Sequence, residues 1–248
     1  MQAITILPEA TSPLLAGRVW PVLAVTVVFA SLGRAVRGVS VSGALAGAGI
    51  CFVLSLAVGW GGFAGLCAVF LLTWAATRVG YGQKQTQGTA EAANGRNAAQ
   101  VLANLGTAAA CASCFVYTGN GRRFLPAVAA ALAEAAADTV SSEIGQAVGR
   151  KARLITSWRI VPPGTNGAIS LPGTVAGLVA AGVVAGVLAA WRVIDLDRVF
   201  LCAAAGFIGS LGDSLLGATL ERYGVLGNNM VNLFSTMLAA GIAFVFSS

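Results

Sequence analysis

The stretch FLPAVAAALAEAAADTVSSEIGQAVG (residues 124–149) decides the fold. It exceeds the roughly 20 residues that an α-helix needs to cross the hydrocarbon of a bilayer. Apolar residues dominate it, yet it carries Glu134, Asp138 and Glu143. A carboxylate at membrane depth costs roughly 2.5–3.5 kcal/mol on insertion scales, so such groups persist where something binds or reacts. A second apolar stretch, 199–220, holds Asp213 within GSLGDSLLG (209–217), as the first holds Asp138 within ADTVSSEIG (137–145). In both, an Asp precedes a hydroxyl residue, among glycines that let a ligand or another backbone come close.

The rest of the chain agrees. Mean hydropathy is +0.82 and 57% of residues are hydrophobic. Only 10% are charged, against about 25% in a soluble domain. The expectation is an all-α, polytopic integral membrane protein, a single membrane domain over 1–248 with no soluble appendage. Spans are expected at 19–33, 39–58, 61–77, 98–118, 124–149, 171–191, 199–220 and 230–247. That makes eight, or seven if the short first segment, between Arg18 and Arg34, lies in the interface. Gly59-Trp60-Gly61-Gly62 makes a tight turn between the second and third. The first 17 residues lack a basic start, a compact apolar run and a small-residue cleavage site, so no removable signal peptide is expected.

The net charge of +6 is read as loop bias, and nucleic acid is not an expected partner. Ten of the fifteen cations fall on one side: Arg34, Arg37, Arg78, Lys84, Arg96, Arg150, Lys151, Arg153, Arg159 and Arg222. The other side holds Arg18, Arg122, Arg123, Arg192 and Arg198. The positive-inside rule then puts the first set in the cytoplasm and both termini outside. Counting from the basic ends at 1.5 Å per residue, Glu143 lies roughly 10 Å, Asp138 roughly 18 Å, Asp213 roughly 13 Å and Asn104 roughly 12 Å into the bilayer. Asn232 enters from the same side. Buried polar groups thus collect in the cytoplasmic half, beneath the two most basic loops, as a pocket for a cytosolic anion would require.

There are five Cys and no His, which removes the usual zinc and histidine-base chemistries. Cys111 and Cys114 sit in an apolar segment with no second pair and are read as packing residues. In loop 150–170, Gly164, Thr165, Asn166 and Gly167 follow Pro162-Pro163 and precede the sixth segment. Successive N–H groups there form either an anion-binding nest before a helix N-terminus or a plain turn. No G-x-x-x-x-G-K-[ST] occurs, so a phosphate site here is not a P-loop.

Glu134, Asp138, Ser141 and Gly145 share one helical stripe. Glu143 is about 140° round from Asp138 on a straight helix. Either the helix breaks between them or Glu143 serves elsewhere, for instance as the partner of a cytoplasmic cation. Asp138 and Asp213 have a structural alternative as well, a hydrogen bond to Ser, Thr or Asn on a neighbouring helix. Small-x-x-x-small pairs at Gly43/Gly47, Gly145/Gly149, Gly173/Gly177 and Gly182/Gly186 suit close helix packing. Each Asp segment is followed by a Gly/Asn-bearing loop and an apolar helix, a weak internal repeat that would set the two Asp residues across a cleft.

Five stretches in order resemble the membrane family of phytyl-phosphate kinases, which includes transmembrane protein 19 of animals. They are Asn94–Asn104, 137–145, Pro163–Gly177, 209–217 and Asn228–Asn232. The 137–145 pattern is also similar to the acidic motif of dolichol-kinase-like enzymes. The resemblance runs from about residue 37 to 248 and leaves 1–36 as a variable part. It implies transfer of a phosphoryl group from a nucleoside triphosphate, CTP in the plant case, to a polyprenyl monophosphate such as phytyl or geranylgeranyl phosphate. The diphosphate product feeds tocopherol-type synthesis. Two departures stand out: Glu221 lies where the resemblance leads one to expect Gln, and the loop after the third segment carries few Lys.

The residues suit that chemistry, which needs mainly positioning and charge neutralisation. Mg²⁺ takes one or two carboxylates plus phosphate oxygens and water. Asp138 and Asp213, with Glu143 as third candidate, are the expected catalytic and metal residues. Lys84, Arg96 and Arg159 would neutralise phosphate charge. Ser141, Thr139 and Ser214 would bond ligands or metal-bound water, loop 164–167 would hold the nucleotide phosphates, and Asn97, Asn104, Asn228, Asn229 and Asn232 complete the expected phosphate-binding set. A monophosphate acceptor is already an anionic nucleophile, whereas an alcohol would need Asp138 or Glu134 as base. The prenyl tail would enter from lipid between Gly-rich helices. Two alternatives remain at this stage: an ion- or proton-coupled transporter, which needs polar groups continuing into the outer half, and a lipid cytidylyl- or phosphoalcohol transferase, which would release diphosphate.

Overall fold

The computed structural model describes residues 13–149 and 151–247, with side chains from residue 17 on. Arg150 and most of the N-terminal stretch considered as a signal peptide lie outside the described residues.

Eight long apolar helices account for the eight expected spans. They are α1 (Pro13–Ala35), α2 (Val41–Val58), α3 (Trp60–Arg78), α5 (Ala98–Thr118), α6 (Gly121–Val148), α7 (Leu171–Ala190), α8 (Val199–Leu216) and α9 (Asn228–Phe246). Their ends are set by local chemistry. Ser40 caps α2 by accepting from Gly43 N at 3.1 Å, and Ser170 caps α7 from Gly173 N at 3.3 Å. Asn97 and Gln100 form a reciprocal capping box at the start of α5. Gly59 and Gly119 take φ of 76° and 69°, the backbone that ends α2 and α5.

Helix α6 is the axis of the bundle. It packs against α3, α5, α7, α8 and α9, and residues Ala127 to Ala137 are all at most 2% exposed. This explains its alanine content. A helix surrounded by protein in lipid gains from close backbone approach, which small side chains permit. A Cβ on Gly173 would lie 2.4 Å from Ser141 O, and one on Gly177 2.8 Å from Ala137 O. The Gly145/Gly149 and Gly173/Gly177 pairs are thus the α6–α7 contact. Gly182 and Gly186 correct the expectation: nothing lies within 4 Å of a Cβ at either. Cys111 leans on the core and Cys114 is exposed; both thiols are free.

Three features lie beyond the sequence expectation. A short helix α4 (Tyr81–Thr86) follows α3. Loop 151–170 forms a two-stranded antiparallel ribbon, β1 (Arg153–Leu154) on β2 (Ala168–Ile169), so the all-α description holds for the membrane part. A π-turn, Gly217–Glu221, extends α8. Such turns cluster at functional sites because they swing side chains off the α-helical register.

Helix α6 runs unbroken through Asp138 and Glu143. The two carboxylates therefore face different ways, and of the two sequence options the second holds.

Candidate functional site

A polar cavity of about 350 Å³ opens among the last turns of α6 and α8, the first turns of α5 and α9, and loops 89–96 and 163–170. All these elements meet at the end of the bundle that carries the larger set of cations. Asp138 of α6 and Asp213 of α8 both line it, with their carboxyls as close neighbours. Close approach of α8 to α6 makes this meeting. A Cβ on Gly209 would lie 2.7 Å from Glu134 Cγ and 2.8 Å from Ser235 O.

Helix α9 supports Asp213. Ser235 Oγ lies 2.9 Å from Asn232 O and 3.4 Å from Asp213 Oδ2, so its single proton is shared between the two acceptors. A carboxylate only accepts, so the Asn232 amide presents its nitrogen to Asp213 Oδ2 at 3.1 Å. In that orientation the Asn232 oxygen accepts from Asn104 Nδ2 at 3.0 Å, tying α5, α8 and α9 together. Glu134 sits one helical turn from Asp138, 1% exposed and beside Ser235. Its Oε1 meets no hydrogen-bond donor.

Arg96 and Glu221 complete the surroundings of Asp138. Arg96 Nε pairs with Glu91 Oε2 at 3.5 Å and Arg96 Nη2 donates to Thr77 Oγ1 at 3.5 Å. Glu221 reaches the cavity from the end of the π-turn. Among the described residues no three His, Cys, Asp or Glu side chains gather as a metal cage. Two neighbouring carboxylates and hydroxyl and amide oxygens are a hard, all-oxygen donor set. It suits Mg²⁺ only with phosphate oxygens or water as further ligands.

The loop before α7 resolves into two consecutive turns. Thr165 N donates to Pro162 O at 3.2 Å and Ala168 N to Thr165 O at 2.9 Å. Gly164 (φ 84°) and Gly167 (φ 75°) occupy the third position of each turn, where a type II turn demands positive φ. Pro163 suits the second position of the first turn. The plain-turn alternative therefore describes the backbone, and the loop still lines the cavity from residue 163 to 170. It is wedged in place: a Cβ on Gly164 would lie 2.4 Å from Thr89 Cγ2, and one on Gly167 2.3 Å from Ala218 N of the π-turn.

The cavity brings together Asp138, Asp213, Thr139, Arg96, Asn104, residues 164–167, Ser214, Asn228 and Asn232. Ser141 lines the wall, but its hydroxyl is turned onto Gly177 of α7. Four expected phosphate-binding residues are absent from the wall. Asn97 is spent on the α5 cap, Arg159 is exposed on the ribbon, and Asn229 does not line the cavity. Lys84 is wholly buried, its ammonium paired with Glu143 and donating to Thr77 O at 2.9 Å and Ala76 O at 3.4 Å. It thereby closes the carbonyl end of α3 and neutralises Glu143, which also accepts from Thr77 Oγ1 at 3.1 Å. Glu143 reaches the cavity rim already paired, the cation-partner role that was its sequence alternative, with a lysine from α4. Sequence reasoning missed Ser235 and gave Glu221 only as a departure. A Ser-Thr pair within the last apolar segment was the available signal for Ser235.

The family model for integral membrane protein DUF92 matches residues 24–240. Protein VTE6, chloroplastic, of Arabidopsis thaliana is 33% identical over 218 residues, covering 85% of this chain and 66% of the relative, just under two thirds. An uncharacterized membrane protein of Synechocystis is 35% identical over 195 residues, 77% of this chain and 76% of its own. One from Methanocaldococcus jannaschii is 37% identical over 108 residues, 43% and 44% of the two chains. No solved structure matches. With the family model spanning nearly every transmembrane helix, the chain belongs to the DUF92 family of integral membrane proteins.

Proposed function

We propose that this protein is a phosphotransferase that moves the terminal phosphoryl group of a nucleoside triphosphate, such as CTP, onto a polyprenyl monophosphate, giving the diphosphate. The observation that carries the reading is the neighbouring pair Asp138 and Asp213 in a polar cavity with Arg96 and the tandem-turn loop on its walls. The ordered motifs resembling phytyl-phosphate kinases support it. So does the relation to Protein VTE6, chloroplastic. By the positive-inside rule the cavity faces the cytoplasm, where nucleotides are available.

Asp138 and Asp213 would hold Mg²⁺ through one carboxylate each, with Asn232 and Ser235 keeping the Asp213 carboxylate aimed. Bound there, the ion would neutralise triphosphate charge. The tandem-turn loop 164–167 on the cavity wall would hold the nucleotide phosphates. Arg96 would draw in the acceptor phosphate. An oxygen of that phosphate attacks the terminal phosphorus, the bond to the bridging oxygen breaks, and the nucleoside diphosphate leaves with the bond's electron pair. No base is required, because the nucleophile is already an anion; this matches a chain without His.

The test is transfer of label from γ-labelled nucleotides to phytyl and geranylgeranyl phosphate by purified protein with Mg²⁺. Labelled prenyl diphosphate is the expected product. A cytidylyltransferase working in the same cavity would release labelled diphosphate instead. Absence of labelled lipid across a panel of nucleotides and acceptors ends the kinase reading.

A further inference from the structure

Beside the polar cavity lies a larger one, about 580 Å³, enclosed by α1, α2, α3, α5, α6 and the loop that carries α4. Its deep wall is apolar: Phe29, Leu66, Val69, Phe70, Val101 and Leu105. Phe29 packs edge-on to Phe70 at 5.5 Å and to Phe63 at 5.7 Å, bridging α1 and α3. From Arg78 to Leu66 along α3 the chamber runs roughly 18 Å. Its volume lies within the roughly 300–1,000 Å³ of small-molecule sites.

The two cavities are not separate. Glu91, Arg96, Asn104 and Thr139 line both. A ligand crossing that boundary passes from an apolar chamber, through a guanidinium, to two carboxylates and a turn loop. An amphiphile with one apolar chain and an anionic head matches such a sequence of environments. Arg37 and Arg78 also line the chamber and add positive charge.

We propose that this chamber binds the isoprenoid chain of the acceptor, with its phosphate held at Arg96, and that the α2 wall at Gly47 sets the chain length accepted. The identity of the head group rests on the phosphotransferase reading. Gly43 is needed where it is, because a Cβ there would lie 2.1 Å from Arg96 O. Gly47, one turn deeper on the same helix, also lines the chamber, and a Cβ there meets nothing within 4 Å. Its missing side chain leaves chamber space that no packing contact requires.

The experiment is photolabelling of the full-length protein in lipid nanodiscs by geranylgeranyl phosphate bearing a terminal diazirine, with no nucleotide present. Label is expected on the α1–α3 wall around Phe29, Leu66 and Phe70, competed by geranylgeranyl phosphate and not by geranylgeraniol. Label confined to lipid-facing residues, or competed equally by the alcohol, overturns the proposal. In the companion assay Gly47→Leu and Gly47→Phe are compared with wild type over acceptors of increasing length. The ratio of kcat/KM for geranyl over geranylgeranyl phosphate is expected to rise about tenfold or more, the scale of discrimination by a few methylenes in an apolar pocket. An unchanged ratio in folded variants overturns the length-gauge role. Binding is read without turnover, so chamber labelling with no phosphoryl transfer sustains the site and sinks the kinase reading. Transfer with label elsewhere does the reverse.

Discussion

Replacing Lys84 by Met separates two roles for this lysine, structural clamp and phosphate ligand. The ammonium is wholly buried and donates to Glu143, to Thr77 O at 2.9 Å and to Ala76 O at 3.4 Å. Methionine nearly preserves the volume and removes the charge. Glu143, whose side chain is 11% exposed, then keeps a carboxylate with the Thr77 hydroxyl, at 3.1 Å, as its remaining partner here. Stranding one member of a buried pair costs about 3–5 kcal/mol. The slight exposure of Glu143 argues for the lower end, about 3 kcal/mol. Removing both charges in Lys84→Met with Glu143→Met is expected to recover about 2–3 kcal/mol of the loss, as a coupling energy. The assay is reversible unfolding of the protein in mixed micelles, run on the two single variants and the double. A second readout is protease nicking of the 79–97 loop, which α4 no longer anchors when the clamp is lost. If Lys84→Met unfolds like wild type and loses only nucleotide affinity, the buried pair is wrong and the lysine faces phosphate.

Three further outcomes are expected. Asp138→Asn and Asp213→Asn should each lower phosphoryl transfer about a hundredfold or more while the protein still inserts and folds; wild-type rates would return both residues to a structural role. Gly177→Ala should destabilise by about 1–3 kcal/mol through overpacking, because its Cβ would lie 2.0 Å from Ser141 Oγ. Gly182→Ala, with nothing within 4 Å, should gain up to about 1 kcal/mol in helix propensity; equal effects in unfolding titrations would refute the α6–α7 packing. Gly164→Ala forces an alanine to φ 84° and into Thr89, so the apparent nucleotide affinity should fall at least several-fold with the fold intact; unchanged nucleotide KM would remove the tandem turns from the site.

The transmembrane helices were legible because each is a long apolar run, a property of consecutive residues. Asp138 and Asp213 were legible for a related reason: a charge inside such a run is costly wherever its neighbours lie. The helical period narrowed Glu143 to two options, a break before it or a role apart from Asp138, and the unbroken α6 decided between them. What consecutive residues do not carry is which faces of separate helices meet. Lys84 looked like a loop cation, and the packing of α4 on α6 made it the buried partner of Glu143. Ser235 was one hydroxyl among many until α9 set it beside Asp213, and Glu221 counted only as an oddity until the π-turn brought it to the cavity. Gly173 and Gly182 open similar small-residue pairs in one helix, yet only the first touches another backbone. From sequence alone came the membrane class, the spans and the two aspartates. The tertiary structure decided the pairing of charges, the supports of Asp213 and the joining of a polar with an apolar cavity, because these depend on helix rotation and crossing, which are settled by the packing of residues far apart in the chain.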